Sequence, residues 1–103
     1  MGDELKSEVQ ASVFKEYERA YKKFGKVNNS NHESYAVILE EFEEAQDDMR
    51  GLEWNLRSFW GAVRADTATK YQLQHMRRIA ENAAGELIQV AAMCYKAEKS
   101  MEG

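Results

Sequence analysis

The fold is decided by residues 30–64, whose sequence is SNHESYAVILEEFEEAQDDMRGLEWNLRSFWGAVR. Ser30 and Glu33 have the spacing of a capping box, in which two side chains satisfy backbone N–H groups at the start of a helix. After this cap the apolar residues recur at alternating steps of three and four: Tyr35, Ile38, Phe42, Ala45, Met49, Leu52, Leu56, Phe59 and Val63. Such a seven-residue repeat predicts a long helix that packs nearly parallel to its neighbours in a bundle.

Two further helices are predicted on either side of this one. The first spans residues 3–24, has one apolar face, and ends at Gly25, which can adopt the left-handed conformation that stops a helix. The last follows a break at residues 65–69, where Asp66 or Thr67 is expected to act as the cap. Its apolar face is formed by Leu73, Met76, Ala80, Ala83, Leu87, Val90, Cys94, Ala97 and Met101.

The fold class is therefore all-α, with residues 1–103 forming a single domain. Gly51 lies inside the second helix and costs about 1 kcal/mol relative to alanine, so a bend or a break near it is the alternative to a continuous helix. The bundle then contains three helices, or four if one of the long ones breaks. Because a chain of 103 residues buries little surface by itself, we expect long antiparallel helices that are completed by a homodimer or homotetramer.

Composition excludes several classes of function. The net charge of −4 argues against non-specific binding of nucleic acid, which requires a basic surface. A single cysteine and two histidines exclude both an intrachain disulfide and a Cys/His zinc cluster. The chain contains no apolar run of about 18 residues, so no membrane span is predicted. The N-terminal residues are acidic and polar, unlike a signal peptide, and we expect a cytoplasmic protein.

Residues 38–48, ILEEFEEAQDD, contain four glutamates and two aspartates. At 100° per residue, Glu41, Glu44 and Asp48 form one stripe beside the apolar face, whereas Glu43 and Asp47 point to the solvent. Like charges at these spacings destabilise a helix, and a cation would relieve the repulsion. The alternative is an ordinary solvated face, which is what acidic runs on helices usually form.

The last helix carries a matching polar stripe of Asn82, Glu86 and Gln89 beside its apolar face. If the two long helices pack antiparallel, this stripe can face Glu41 and Glu44 across a groove. Several carboxylate oxygens are the ligands that Mg²⁺ or Mn²⁺ prefers, and Mg²⁺ keeps positions open for substrate phosphates. The two stripes therefore predict a divalent-metal site that handles a phosphate-containing substrate.

These residues resemble a known family. Residues 40–44, EEFEE, fit the EExxE element of the MazG-like all-α nucleoside triphosphate pyrophosphohydrolases, and residues 85–89, GELIQ, lie where that family carries its ExxD element. Residues 32–41, HESYAVILEE, and 86–93, ELIQVAAM, are similar to two runs of a phage and bacterial MazG-like subgroup. The order of the two runs is more specific than EExxE alone, which acidic helices produce by chance.

The resemblance implies Mg²⁺-dependent hydrolysis of a (d)NTP to (d)NMP and pyrophosphate. By this resemblance the metal ligands are Glu41, Glu44, Glu86 and Gln89, and the catalytic base is Glu40 or Glu41. Two features depart from the family. Gln89 replaces an aspartate, and residues 45–85 place 41 residues between the two elements, more than we expect. The alternative is therefore a non-catalytic MazG-like protein that acts in nucleotide binding or assembly.

We also expect three residues outside the acidic stripes to contact the substrate. They are His32 near the start of the second helix, Asn82 on the polar stripe, and Arg78. The basic pairs Arg77–Arg78 and Lys22–Lys23 can hold a triphosphate tail or can simply be solvated. The large aromatic residues Trp54 and Trp60 can stack on a nucleobase, although burial in the core or in an interface is the more common role of tryptophan.

Overall fold

The computed structural model describes residues 2–25 and 27–102, and its secondary structure there consists of three helices. They are α1 (Asp3–Phe24), α2 (Asn31–Arg64) and α3 (Lys70–Glu102). The predicted all-α bundle is confirmed. α3 packs against both of the other helices, whereas the Cα atoms of α1 and α2 stay more than 8 Å apart. Within the described residues, no helix combines the length and apolar content needed to cross a membrane.

α2 is capped as predicted and does not break. The backbone N–H of Glu33 donates to the Ser30 hydroxyl at 3.1 Å, and the Glu33 carboxylate accepts from the backbone N–H of Asn29 at 3.3 Å. The helix continues through Gly51 for 34 residues. Neither long helix breaks, so the bundle has three helices rather than four.

The link between α2 and α3 corrects the predicted cap of the last helix. Thr69 takes that role, since its hydroxyl accepts from the N–H of Gln72 at 3.4 Å and the Gln72 side chain accepts from the N–H of Thr69 at 2.9 Å. Asp66 and Thr67 instead end α2. Asp66 has a φ of 59°, and the N–H of Thr67 donates to the Ala62 carbonyl at 2.8 Å. The prediction was wrong because both residues are needed to reverse the chain.

The two long helices run antiparallel. Asn28, just before α2, donates its N–H to the Ser100 hydroxyl near the end of α3 at 2.7 Å. The Asn28 side chain also donates to Ser34 at 2.8 Å, and the Ser100 hydroxyl donates to the Lys96 carbonyl at 2.8 Å. This small buried network holds the link between α1 and α2 against α3.

α1 is attached to α3 by aromatic rings. The ring of Tyr95 packs edge to face against Phe14 and Tyr17, with centroid separations of 5.1 and 4.7 Å. No described residue of α1 is fully buried. Edge-to-face pairs and partial burial therefore hold α1 on the hairpin, rather than a deep core of its own.

Only every second residue of each predicted apolar face is covered. The α2 residues turned towards α3 are Ile38, Ala45, Leu52 and Phe59, and their α3 counterparts are Met76, Ala83, Val90 and Ala97. The other members of both repeats remain exposed at seven-residue intervals, and we call them the open stripe: Tyr35, Phe42, Met49, Leu56 and Val63 of α2, with Leu73, Ala80, Leu87, Cys94 and Met101 of α3. The sequence thus predicted apolar faces that the single chain covers only in part.

The accessible area agrees with this incomplete burial. The chain exposes 7759 Å², whereas a folded monomer of 11.9 kDa is expected to expose about 5,900 Å². The excess is roughly 1,800 Å² by that scaling. An elongated shape of 58 × 30 × 21 Å, in which the backbones of α1 and α2 are not adjacent, accounts for the large exposed surface.

We predict that Asn28→Ala destabilises the fold by about 1–3 kcal/mol, because it leaves the buried Ser34 hydroxyl without its donor. Urea unfolding followed by circular dichroism measures the change. Asn29→Ala is the matched control: Asn29 is exposed, and only its backbone N–H, which alanine keeps, makes a hydrogen bond. Equal losses in the two variants would contradict the importance of the Asn28 network.

Candidate metal centre

Three carboxylates converge where α2 and α3 cross the middle of the hairpin. Glu41 and Glu44 lie one turn apart on α2, and Glu86 faces them from α3. One oxygen of each carboxylate lies within 4.8 Å of the others. Glu41 and Glu86 are half-buried and Glu44 is exposed, so the group is open to solvent on one side. We refer to these three residues as the carboxylate cluster.

The spacing of the cluster suits a hard divalent cation. Mg²⁺ and Ca²⁺ bind oxygens at about 2.0–2.6 Å, so two oxygens on opposite sides of one ion lie roughly 4–5 Å apart. Three carboxylates within 4.8 Å fit that geometry and leave further positions for water or for a ligand oxygen. The structure thus brings together three of the four residues expected to bind metal, and their role as ligands remains a prediction.

Crowding raises the pKa of two members of the cluster. The pKa of Glu41 rises above its usual value near 4.5, first because the group is partly buried and then because the negative charge of Glu44 is close; a hydrogen bond with Glu86 acts in the opposite direction. The pKa of Glu44 also rises, chiefly through a hydrogen bond with Glu86 and the charge of that residue. Both carboxylates therefore favour a bound proton or a cation over bare negative charge.

Gln89, the fourth expected ligand, is engaged by α1. Its Nε2 donates to the Glu16 carboxylate at 2.6 Å, and the other oxygen of Glu16 pairs with Arg19 at 2.6 Å. The Glu16 side chain is only 18% exposed, so this contact is well shielded from solvent. Gln89 lies beside the same cavity as Glu41, and its role as a metal ligand remains a prediction.

Two cavities bordered by α1 adjoin the cluster, and a third, of about 420 Å³, lies along α2 with Glu44 on its wall. The first, of about 440 Å³, lies between α1, the start of α2 and α3, and Glu41 lies on its wall. The second, of about 550 Å³, is bounded by α1 and α3, and Glu86 lies on its wall. Glu16, Arg19 and Gln89 border both. The carboxylate cluster is therefore reached from two sides, with the Glu16–Gln89 contact between them.

The other expected site residues fall into two groups. Glu40 lines the first cavity and Asn82 lines the second, so both lie near the cluster. His32 and Arg78 are exposed and line neither of these cavities. Their contact with the substrate stays a prediction.

Trp54 and Trp60 are 70% and 60% exposed and line neither cavity. Trp54 follows Glu44 by ten residues, which places it about 15 Å further along α2. Stacking on a nucleobase held at the cluster of the same chain therefore does not follow from this geometry. Such exposure in a single chain is expected for residues that another subunit covers in an oligomer.

Sequence reasoning missed three residues that line the first cavity: Glu16, Arg19 and Lys96. Lys96 continues the same steps of three and four that relate Glu86, Gln89 and Met93, so extending the polar stripe by one turn would have found it. The sequence pattern that would identify Glu16 and Arg19 is weaker. They flank the apolar face of α1, and nothing in the sequence specifies which part of α3 that face covers.

The fold and the site together define an all-α protein with a carboxylate cluster set between two antiparallel helices. Comparisons of the chain with protein-family models, with curated proteins and with solved structures found no match.

We predict opposite effects of Glu44→Gln with and without metal. Because the pKa values of Glu41 and Glu44 are raised on folding, the folded state gains protons relative to the unfolded state, and the cluster opposes folding as the pH rises above them. Without metal, Glu44→Gln should therefore raise the melting temperature at pH 7.5, and the gain should shrink towards pH 5. With Mg²⁺ or Mn²⁺, wild type should gain stability and the variant should gain less.

Thermal unfolding in EDTA and in excess metal measures both effects. Glu43→Gln removes a charge from the solvent side of the same helix and is the matched control. A metal-induced shift of equal size in wild type and Glu44→Gln would show that the cluster does not bind the ion.

Proposed function

We propose that this protein is a Mg²⁺-dependent nucleoside triphosphate pyrophosphohydrolase of the MazG-like kind, which converts a (d)NTP to the (d)NMP and pyrophosphate. The observation that carries the proposal is the convergence of Glu41, Glu44 and Glu86 at the edge of a cavity. These are the residues to which the resemblance assigns metal binding. Mn²⁺ is the alternative ion, because the same oxygen ligands suit it.

The charge distribution supports a phosphate substrate held through a metal. Three carboxylates alone would repel a triphosphate. Binding therefore requires a cation that coordinates both the carboxylates and the phosphates. The walls of the first cavity also carry positive charge, from Arg19, Lys23 and Lys96. Acidic residues for the metal and basic residues for phosphate oxygens therefore lie beside one cavity.

The cluster would bind the metal, and a glutamate would also take the proton of the attacking water. A bound Mg²⁺ would neutralise charge on the phosphates and make a coordinated water more acidic. Glu41, Glu44 and Glu86 would hold the ion. Glu41 or the adjacent Glu40 would accept a proton from the attacking water. Both residues line the first cavity, where the water and the α-phosphate would meet.

Gln89 contributes a neutral amide in place of a carboxylate. With Nε2 held by Glu16, its Oε1 is the atom left to face a metal. A neutral oxygen is a weaker ligand than a carboxylate for a hard cation, which favours one tightly bound ion over two. Asn82, His32 and Arg78 are the further residues proposed to contact the substrate, and Asn82 is the one that borders a cavity beside the cluster.

The second candidate function is non-catalytic nucleotide binding or assembly by a MazG-like protein. The observation that favours it is the Gln89–Glu16 hydrogen bond of 2.6 Å, which ties the substituted position into the packing of α1 on α3. A side chain that is held by such packing cannot reorient to coordinate a metal. Turnover, rather than binding, distinguishes the two candidates.

We predict that the purified protein with Mg²⁺ or Mn²⁺ releases pyrophosphate from at least one nucleotide in a panel of ribo- and deoxyribonucleoside triphosphates. Glu41→Gln should lower kcat by roughly 10²–10⁴-fold, the range expected when a proton-transfer group is removed. A coupled pyrophosphate assay, with nucleoside monophosphate identified by chromatography, measures both products.

Glu43→Gln is again the matched control and should keep the wild-type rate. Nucleotide binding without turnover of any nucleotide would favour the non-catalytic candidate. Turnover that Glu41→Gln leaves unchanged would remove the carboxylate cluster from the mechanism.

The proposal includes a homodimer formed through the open stripe. Its exposed residues recur every seven positions on both helices, as the contact faces of four-helix bundles do. The excess area of roughly 1,800 Å² per chain exceeds the ~800 Å² per partner of a standard interface and falls in the range of obligate dimers. Two hairpins packed face to face would cover it. The proposed location is the cytoplasm, where the free Cys94 stays reduced.

We predict that Leu87→Glu converts the assembly to monomers at low micromolar concentration, because it places a charge in the middle of the open stripe. Light scattering coupled to size-exclusion chromatography measures the mass. Leu5→Glu, at an exposed leucine of α1 outside the stripe, is the control and should leave the mass unchanged. A wild-type mass of one chain would contradict the dimer, and a mass of four chains would identify a tetramer.

A further inference from the structure

Lys96 is a buried lysine for which the metal centre provides no role. Only 5% of its surface is exposed, although lysine is almost never buried to this extent unless it is paired. It lies on the wall of the first cavity, together with Phe24, Lys23 and Met93. Its Nζ lies 5.8 Å from the centre of the Phe24 ring, a cation–π contact near the outer limit of such interactions.

No charged partner neutralises Lys96 within the described ranges 2–25 and 27–102. None of the ion pairs there includes it, and its Nζ donates no hydrogen bond to a protein atom. Its Nζ is nevertheless not sealed from solvent, since no buried side-chain nitrogen in these ranges lacks a partner. Because Lys96 lines the first cavity, this cavity offers a space from which a partner can approach the ammonium group.

The backbone at Lys96 is tied to the link before α2. Its carbonyl accepts from Ser100, which in turn accepts from Asn28. A charge that is partly removed from water without a counter-ion is unfavourable, and a bound anion relieves that cost. An unpaired lysine on the wall of a cavity of about 440 Å³ is thus suited to an anionic ligand of small-molecule size.

We infer that Lys96 binds the terminal phosphates of the nucleotide, the part that leaves as pyrophosphate, at the end of the first cavity formed by Lys23 and Phe24. The cationic site is argued from geometry alone. Its assignment to the terminal phosphates rests on the proposed function.

The position of Lys96 along α3 fits a ligand that reaches from the metal centre. Lys96 follows Glu86 by ten residues, or about 15 Å of helix, and lysine side chains on a helix lean towards its N-terminus. The ammonium group is thereby brought back towards the carboxylate cluster. A polyphosphate chain can then contact the metal with its α-phosphate side and Lys96 with its terminal oxygens.

Binding of inorganic pyrophosphate and of a nucleoside monophosphate to the Mg²⁺-loaded protein tests the inference by calorimetry. Lys96→Met should weaken pyrophosphate binding by roughly 30-fold or more, the lower end for removing a buried charged partner. Affinity for the monophosphate should stay within about twofold, since it lacks the terminal phosphates. Lys96→Arg should restore part of the pyrophosphate affinity. In turnover, Lys96→Met should raise KM more than it lowers kcat.

Lys99→Met is the matched control, because Lys99 lies on the next turn of α3, pairs with Glu102 and does not line the cavity. It should bind pyrophosphate as wild type does. A second measurement uses the unmodified protein: pyrophosphate should protect Lys96, and not Lys99, from acetylation as followed by mass spectrometry. The acetylation experiment tests the inference even if Lys96→Met does not fold.

The outcomes separate the inference from the proposed function. Pyrophosphate binding that depends on Lys96, in a protein that hydrolyses no nucleotide, would support the anion site and reject the enzyme. Turnover with wild-type KM in a folded Lys96→Met variant, or acetylation of Lys96 that pyrophosphate does not slow, would overturn the anion site and leave the enzyme standing. Equal weakening of pyrophosphate and monophosphate binding would also overturn the assignment to terminal phosphates.

Discussion

The antiparallel contact between α2 and α3 is the constraint on which the rest of the structure depends. It determines which turn of α3 meets the acidic turns of α2, and so it places Glu86 against Glu41 and Glu44. The contact is held at one end by the five-residue link after Arg64 and at the other by the hydrogen bonds of Asn28. Between these two ends, small residues such as Ala45 and Ala83 let the backbones approach closely.

That contact forces like charges together, and the surrounding structure is arranged to tolerate them. Burial and the charge of Glu44 raise the pKa of Glu41, whereas a hydrogen bond with Glu86 and the charge of that residue raise the pKa of Glu44. On the α1 side, Arg19 and the amide of Gln89 surround the Glu16 carboxylate, so a fourth acid near the cluster is compensated. The remaining excess of negative charge faces the two cavities, where a cation and a phosphate ligand would offset it. The carboxylates whose repulsion destabilises the fold are therefore the same residues that are proposed to bind metal.

The same packing leaves one side of the hairpin open. α3 is placed between α1 and α2, so neither long helix can bury both halves of its apolar repeat within one chain. Apolar residues at steps of three and four predict one apolar face on each long helix. Within one chain, half of the residues on that face pack against the other long helix, and the other half form the open stripe. This explains why Phe42 and Leu87, which the repeat places in a core, are exposed in the single chain while Ala45 and Ala83 are buried.

The sequence by itself determined the class of fold, the three helices, the cap of α2 by Ser30 and the end of α1 at Gly25, because these depend on interactions within a few residues. It also placed Glu41, Glu44 and Glu86 on the faces that meet, since helical periodicity is a local property. The cap at Thr69, the continuity of α2 through Gly51, the Glu16–Gln89 contact and the burial of Lys96 were decided only by the tertiary structure. Each of these depends on how one helix is aligned against another, and that alignment is a sum over many weak contacts that no short stretch of sequence encodes.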